Sequence, residues 1–479
     1  MISLLEVAER AQKGPRLEEK DWNLGMFKKM QNLVAEHRLK VGSFDKFYDV
    51  DNSYADRLFQ AALGYLSSMG VYCVSTNREI QFTEDEVEEA CREAPESILV
   101  GRDRDVREVR QRSIEDPRPP NIVAGGHSAW NEELIPLENM VKELVKHPRV
   151  DYLETFMFHR IMGREVHGIP MAVYAARKAI ERSRIGIGLA GRPGMALCNY
   201  PVLTNASAFI AAKDEDRGLR SSDGLLLSVL PDLKVETDLL AASMYYEEYG
   251  CFRANGGTGS FVGSFAGGWE GAMIEAVVRN IAAWIIYHDC VQYAPGISVM
   301  KRSSISPTEK NREPLQSGDD RMAAWCSFAA DTALRRHKKT IQLSQGGNGA
   351  VVEDNASLES LFSIASQSIR GTVTGNGLWF LWTPPPTTVS WGIEVSDAAL
   401  RSNVKLGDLD GLLGRIQREK LQSLDTSRDM RMLLYSNPKA FFETMTVGYD
   451  YAKQRPTDRF VQNRRTAMQY LESIGLRFR

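Results

Sequence analysis

The chain has 479 residues, 43% hydrophobic and 25% charged, which is the balance of a globular protein with a substantial core and room for one large domain or two or three ordinary ones. A formal net charge of -3 with no basic block gives no basis for binding nucleic acid or an anionic membrane surface, and no apolar run reaches the ~18 residues of a membrane span. Six scattered cysteines without a CxxC pair, and seven histidines without HxH or HExxH, argue against a protein-bound metal and for a reducing cytoplasm.

The first segment, MISLLEVAERAQKG, is amphipathic rather than signal-like. Helical periodicity then recurs at 18–38, 53–69 and 84–94, the last opened by Thr83 with Glu86 three residues on, a capping-box pattern. Residues 1–118 read as a helical N-terminal extension. The proline-rich segment 115–120 cannot be regular structure and marks the entry to the next part.

From there the chain alternates. Short apolar runs suited to buried strands fall near 121–126, 151–158, 185–190, 224–229, 250–254, 295–300, 340–344 and 371–375. Helical patterns lie between them near 134–147, 170–183, 205–213, 232–248, 269–288, 318–337 and 355–370. This alternation fits a (β/α)8 TIM barrel over 119–402 and also a doubly wound open sheet. The count of eight, and the lack of a dinucleotide fingerprint after the first strand, favour the barrel. Further helical patterns at 394–402, 406–422, 438–453 and 457–475 make 403–479 a set of C-terminal helices packed on the barrel or making subunit contacts, and a homo-oligomer is expected.

In a barrel, function collects on the loops after the strands. The stretch RIGIGLAGRPGMALCNY (184–200) reads as a buried strand that breaks at Gly191, Pro193 and Gly194 into a loop carrying Cys198. That is either a tight turn with a buried thiol or a presented reactive group. Cys198 is then a pocket wall, or a thiolate whose ordinary pKa of about 8.5 is lowered by Arg192. The other expected loops offer Arg253, Asn255, Gly256 and Gly257, then Lys301 and Arg302, Gln345 and Asn348, and finally Asn376, Trp379 and Trp382. The glycine-rich run 255–268 serves either anion binding or close packing.

The run AGRPGM (190–195) with a special position at 198 resembles the active-site segment of the monomethylamine:corrinoid methyltransferases. The resemblance continues in order through VYCVSTNREIQFTEDEVEEA (71–90), VRQRS (109–113), IVAGG (122–126), FAGGWE (265–270) and SQSI (366–369). It implies a barrel that passes the methyl group of a small methylated substrate to Co(I) of a separate corrinoid protein. The cobamide would be supplied by that partner and not bound by this chain. Where the family carries pyrrolysine this chain has Cys198, where it carries a glutamate the alignment falls on Gly257, and where it carries a glutamine it falls at or near Asn348. Those departures suggest a quaternary amine, which has no proton to handle and is held by aromatic faces, with Trp379, Trp382 and Trp391 as the candidates. The same tryptophans could instead pack a long loop. Arg253, Lys301 or Arg302 would meet an anionic tail. A barrel of different chemistry and a non-catalytic relative that binds a methylated ligand both stay open.

Overall fold

A computed structural model describes the whole chain except residues 42–45, 127–128, 132–134, 200–205, 257–258, 294, 300–316, 349–353, 382–384, 422–436 and 479. Gly257, Lys301, Arg302 and Trp382 lie outside the described residues, as do the side chains of Gln345 and Asn348.

Eight strands close into a barrel: β1 (Ile122–Gly125), β2 (Tyr152–Glu154), β3 (Ala196–Asn199), β4 (Gly224–Leu227), β5 (Phe252–Asn255), β6 (Val291–Tyr293), β7 (Ile341–Asn348) and β8 (Gly377–Leu381). Their order around the barrel follows the chain, with β8 pairing in parallel to β1. A helix follows each strand: α1 (Leu137–Leu144), α2 (Gly168–Leu189), α3 (Ala206–Ala211), α4 (Thr237–Tyr249), α5 (Trp269–Tyr287), α6 (Ser317–His337), α7 (Leu358–Val373) and α8 (Pro386–Arg401). The expected TIM barrel is the fold observed. Strands covered on both faces read as apolar runs, as Ile122, Val123 and Ala124 or Leu225, Leu226 and Leu227 do, all of them buried.

Three strands lie elsewhere than the sequence reading put them. The run at 185–190 is the last turn of α2, with Ile185 and Leu189 exposed at 44% and 57%. Its glycines serve helix packing and helix termination. A Cβ on Gly186 would come within 2.6 Å of the Glu138 carbonyl and 2.7 Å of Val141 on α1. Gly191 takes φ +77°, its N–H bonded to the Gly188 carbonyl and the Arg192 N–H to the Ile187 carbonyl, a Schellman stop. The GRPG punctuation therefore precedes β3 rather than following it. Residues 297–299 pair in parallel with Ser260–Val262 instead of forming β6. Residues 371–373 end α7, and the eighth strand begins at Gly377.

The chain resolves into two compact units. One holds Met1–Glu96, Leu226–Glu248 and Arg253–Ile341. In it Val71–Cys73 pairs in parallel with Lys234–Val235, Trp22 stacks on Tyr72 with centroids 5.5 Å apart, and every α5 residue from Gly271 to Tyr287 is buried. The capping box at Thr83 and Glu86 forms as read from sequence. Among the described residues no helix is long and apolar enough to cross a membrane.

The other unit holds Ser97–Leu225, Tyr249–Phe252 and Gln342–Arg479. Two buried arginines fix the amino ends of its strands. Arg112 donates to the carbonyls of Thr372 (3.2 Å), Asn376 (2.8 Å), Asp116 (3.0 Å) and Arg118 (2.8 Å). Arg184, on α2, donates to the carbonyls of Gly218 (3.0 Å) and Met195 (2.9 Å) and pairs with Asp223. Asp223 also accepts from the backbone N–H groups of Leu197 (2.8 Å) and Arg220 (2.6 Å), so one buried carboxylate sets the starts of β3 and β4. Burial lowers the Arg184 pKa to about 10, which leaves it charged at neutral pH. Arg184→Met removes the counter-charge and leaves Asp223 buried alone, which should cost ~3–5 kcal/mol in urea unfolding. A loss below ~1 kcal/mol would mean that hydrogen bonds from the backbone already suffice.

Candidate active site

Several residues expected at the barrel mouth are elsewhere. Arg192 precedes β3 and is buried at the amino end, donating to the carbonyls of Val145 (3.2 Å) and His147 (3.3 Å), with Asp105 3.8 Å away. It therefore has no part in activating Cys198 from a loop that follows the strand. Asn376 also lies at the amino end, just before β8, with its Nδ2 donating to the Thr374 hydroxyl at 3.1 Å. Arg253 is inside β5 and turns towards α4 and α5, 3.8 Å from Glu247 and 3.4 Å from the His288 carbonyl. Asn255 ends β5 on the same strand face as Arg253, buried, with its Oδ1 lacking a hydrogen bond. Gly256 follows it, and a Cβ there would come within 2.7 Å of Leu226. Trp391 belongs to α8, where its Nε1 donates to the Leu361 carbonyl at 2.8 Å and its ring stacks on Phe478 at 5.7 Å. It packs the helical layer and is not part of an aromatic cage inside the barrel.

Cys198 and Trp379 do belong to the interior, and strand register places them. Residues paired across parallel strands share a face, and alternate residues along a strand share it too. Trp379 pairs with Val123, Val123 with Tyr152, and Glu154 with Cys198. All five therefore face one way. The opposite face is the helical one, since a Cβ on Gly392 of α8 would strike the Phe380 ring. Tyr152 meets Phe252 edge to face at 5.5 Å, and Gly224 leaves the space that the Phe252 ring fills. The next level towards the carboxyl ends holds Glu154 and Cys198, with Trp379 reaching it through its indole N–H. Gln345 pairs in register with Trp379, and Asn348 with Leu381.

Glu154 was not singled out from sequence. It is fully buried, and its Oε2 accepts a 3.0 Å hydrogen bond from Trp379 Nε1. Among the described residues its Oε1 has no hydrogen-bond partner. Burial raises its pKa well above the usual carboxylate range, and the Trp379 hydrogen bond opposes that rise. The glycine pair of IVAGG packs on this residue: Gly125 and Gly126 take φ of +91° and +83°, a Cβ on Gly126 would overlap Glu154 Oε2, and one on Gly125 would come within 2.4 Å of the Glu154 backbone carbonyl. One charged residue in the buried run YLETF, with two glycines on the strand before it, was the available signal. On the other strand face Thr155 donates from its hydroxyl to Asn199 Oδ1 at 3.1 Å, and its N–H to the Cys198 carbonyl at 2.9 Å, which holds β3 against β2.

Other buried ionisable groups were equally hidden. Asp289, before β6, is pushed up to about 7 by burial, and Lys338, before β7, donates to Gln292 at 3.2 Å. Glu275 on α5 is likewise pushed up to about 7. Among the described residues no three His, Cys, Asp or Glu side chains gather as a metal-binding set.

A carboxyl with a raised folded pKa makes stability depend on pH in a defined direction. Below the unfolded value Glu154 is protonated in both states and contributes no pH dependence; above it the unfolded chain gains by ionising, and the folded state loses ground until pH passes the folded pKa. Glu154→Gln should therefore gain on the parent protein by up to ~1.4 kcal/mol per pH unit above ~4.5. Urea unfolding at pH 5 and pH 8 measures it, and a pH-independent difference would show that Glu154 is already ionised in the fold.

Residues 2–380 match the family described as Monomethylamine methyltransferase MtmB. Monomethylamine methyltransferase MtmB2 of Methanosarcina acetivorans is 30% identical over 281 residues, 58% of this chain and 60% of the relative. MtmB of Methanosarcina mazei is 29% identical over the same span and shares. These sequence matches take in 60% of the relatives' length. The crystal structure of the Methanosarcina barkeri monomethylamine methyltransferase superposes with a TM-score of 0.79 at 21% identity, covering 99% of this chain and 98% of that one, which speaks for the shared fold. On the family match over most of its length, this chain belongs to the MtmB family of methyltransferases.

Proposed function

We propose that this chain is a methyltransferase that holds a small methylated amine inside the barrel and passes a methyl group to Co(I) of a separate corrinoid protein. The observation that carries the reading is the Glu154–Trp379 pair on the inner face of a barrel belonging to a methylamine family. A carboxyl and an indole with no other charge among the causes of the carboxyl's shift are the partners a desolvated ammonium would select.

The corrinoid in this reading is a reactant carried by the partner. His37, His147, His167, His288 and His337, the histidines with described side chains, all lie outside the barrel strands, and His288 and His337 are engaged by Glu247 and Asp56. None is positioned to serve as a cobalt ligand from within the barrel. The protein's part is to orient the methyl group towards the mouth and to exclude water, so that an encounter of two molecules becomes a positioned transfer.

The preferred donor is a quaternary amine. Cys198 stands where the family's pyrrolysine would capture a primary amine, and neither Cys198 nor Gly257 can repeat the capture and proton handling inferred for that family. A permanently charged donor leaves as a neutral amine and needs neither. With Trp391 in the helical layer, the aromatic contribution among the described residues falls to Trp379, whose hydrogen bond to Glu154 uses the indole edge and not its faces. Cys198, buried beside Glu154 in register, acts as a wall of the pocket.

Incubation with a reduced corrinoid protein should give methyl–cobalt absorbance with trimethylammonium compounds and little with monomethylamine; brisk turnover of monomethylamine would overturn the substrate reading. Trp379→Ala should weaken a quaternary ligand by ~0.5–2 kcal/mol and a neutral methyl ether much less. Equal losses for both ligands, measured by calorimetry, would remove Trp379 as a cation contact.

A further inference from the structure

We infer that Glu154 is a binding-linked counter-ion: the barrel interior takes a permanently cationic ligand, and the Glu154 carboxyl gives up its proton to solvent as that cation binds. The inference rests on the proposed function for the location of the ligand, and it adds the ligand's charge and a proton that moves with it.

Three features of the geometry lead to it. Glu154 is fully buried on the inner strand face, yet its two oxygens are treated differently: Oε2 is held by Trp379 Nε1 at 3.0 Å and Oε1 has no hydrogen bond among the described residues. An unpaired buried acceptor costs ~1–3 kcal/mol, and of the buried carboxyls with one, Glu275 is on α5, Asp289 precedes β6, and Glu154 faces the barrel interior. Gly126, at φ +83°, leaves the space that the carboxyl fills, since a Cβ there would overlap Glu154 Oε2. Among the described residues the surroundings hold no opposing charge: β1 presents Gly125, with Gly126 next to it, β3 presents Cys198, and β8 presents Trp379. Burial raises the carboxyl's pKa and the Trp379 hydrogen bond opposes the rise.

Such a group is neutral when alone and becomes an anion when a cation enters, since attraction in a dry site favours the ionised form. A ligand with a fixed charge cannot deliver or remove a proton itself, so the proton leaves to solvent. The indole N–H already on Oε2 stabilises the anion that results. A neutral ligand of the same shape provides no such attraction and leaves the carboxyl protonated. Charge, more than shape, then decides what the barrel holds.

The full chain is titrated with tetramethylammonium chloride in weak buffer containing a pH indicator, with sodium chloride and 3,3-dimethylbutan-1-ol as controls. About one proton released per bound tetramethylammonium, none with either control, and an affinity that rises ~tenfold per pH unit below the folded pKa are expected. Glu154→Gln should bind the cation more weakly, with no proton release and no pH dependence. Saturable binding without proton release by the parent protein, equal release by the Gln variant, or no binding of the cation overturns the inference. The parent protein's own proton count decides the matter even if the variant does not fold. Methyl transfer to a corrinoid protein is scored separately: transfer without proton release overturns this inference alone, and proton release without transfer leaves the cation site standing and the proposed reaction wrong.

Discussion

A parallel barrel has no wet face. Its strands are covered by helices outside and by one another's side chains inside, so every polar group placed there has lost water and must find a partner in the protein. Most of this chain's buried charges obey that constraint at the amino ends of the strands. Arg112 distributes its guanidinium over four carbonyls, and Asp223 takes one guanidinium and two backbone N–H groups. These groups hold strand starts in place. Glu154 stands nearer the carboxyl ends and on the inner face, with one oxygen held by Trp379 and the other without a hydrogen bond among the described residues.

That contrast matches the division of labour in this fold, with stability below and chemistry above. Arg192 and Asn376 carry functional-looking side chains but sit among the stabilising groups, each bonded to nearby backbone or hydroxyl oxygens. Cys198 and Glu154 occupy the interior level above Tyr152, and Trp379 reaches it through its indole N–H.

Membership of the MtmB family and the departures within this chain are compatible in physical terms. The barrel is the shared scaffold, and the departures lie in side chains that it carries. Here the inner face combines a thiol, an indole and a buried carboxyl.

The sequence by itself determined the fold class, because eight alternations of apolar run and helical pattern survive even when single strands are misplaced. It determined helix ends where capping chemistry is local, as at Thr83 and Glu86. It misplaced β3 because Gly186 and Gly188 look like strand or loop residues until α1 is packed against them, and because a Schellman stop and a strand-to-loop turn share the same glycines. Tertiary structure alone decided the site. Glu154, Gly126, Cys198 and Trp379 are up to 253 positions apart in the numbering (379 minus 126) and meet only through parallel register across β1, β2, β3 and β8. Burial is a property of that assembly, and it is burial that raises the pKa of Glu154 well above the usual carboxylate range.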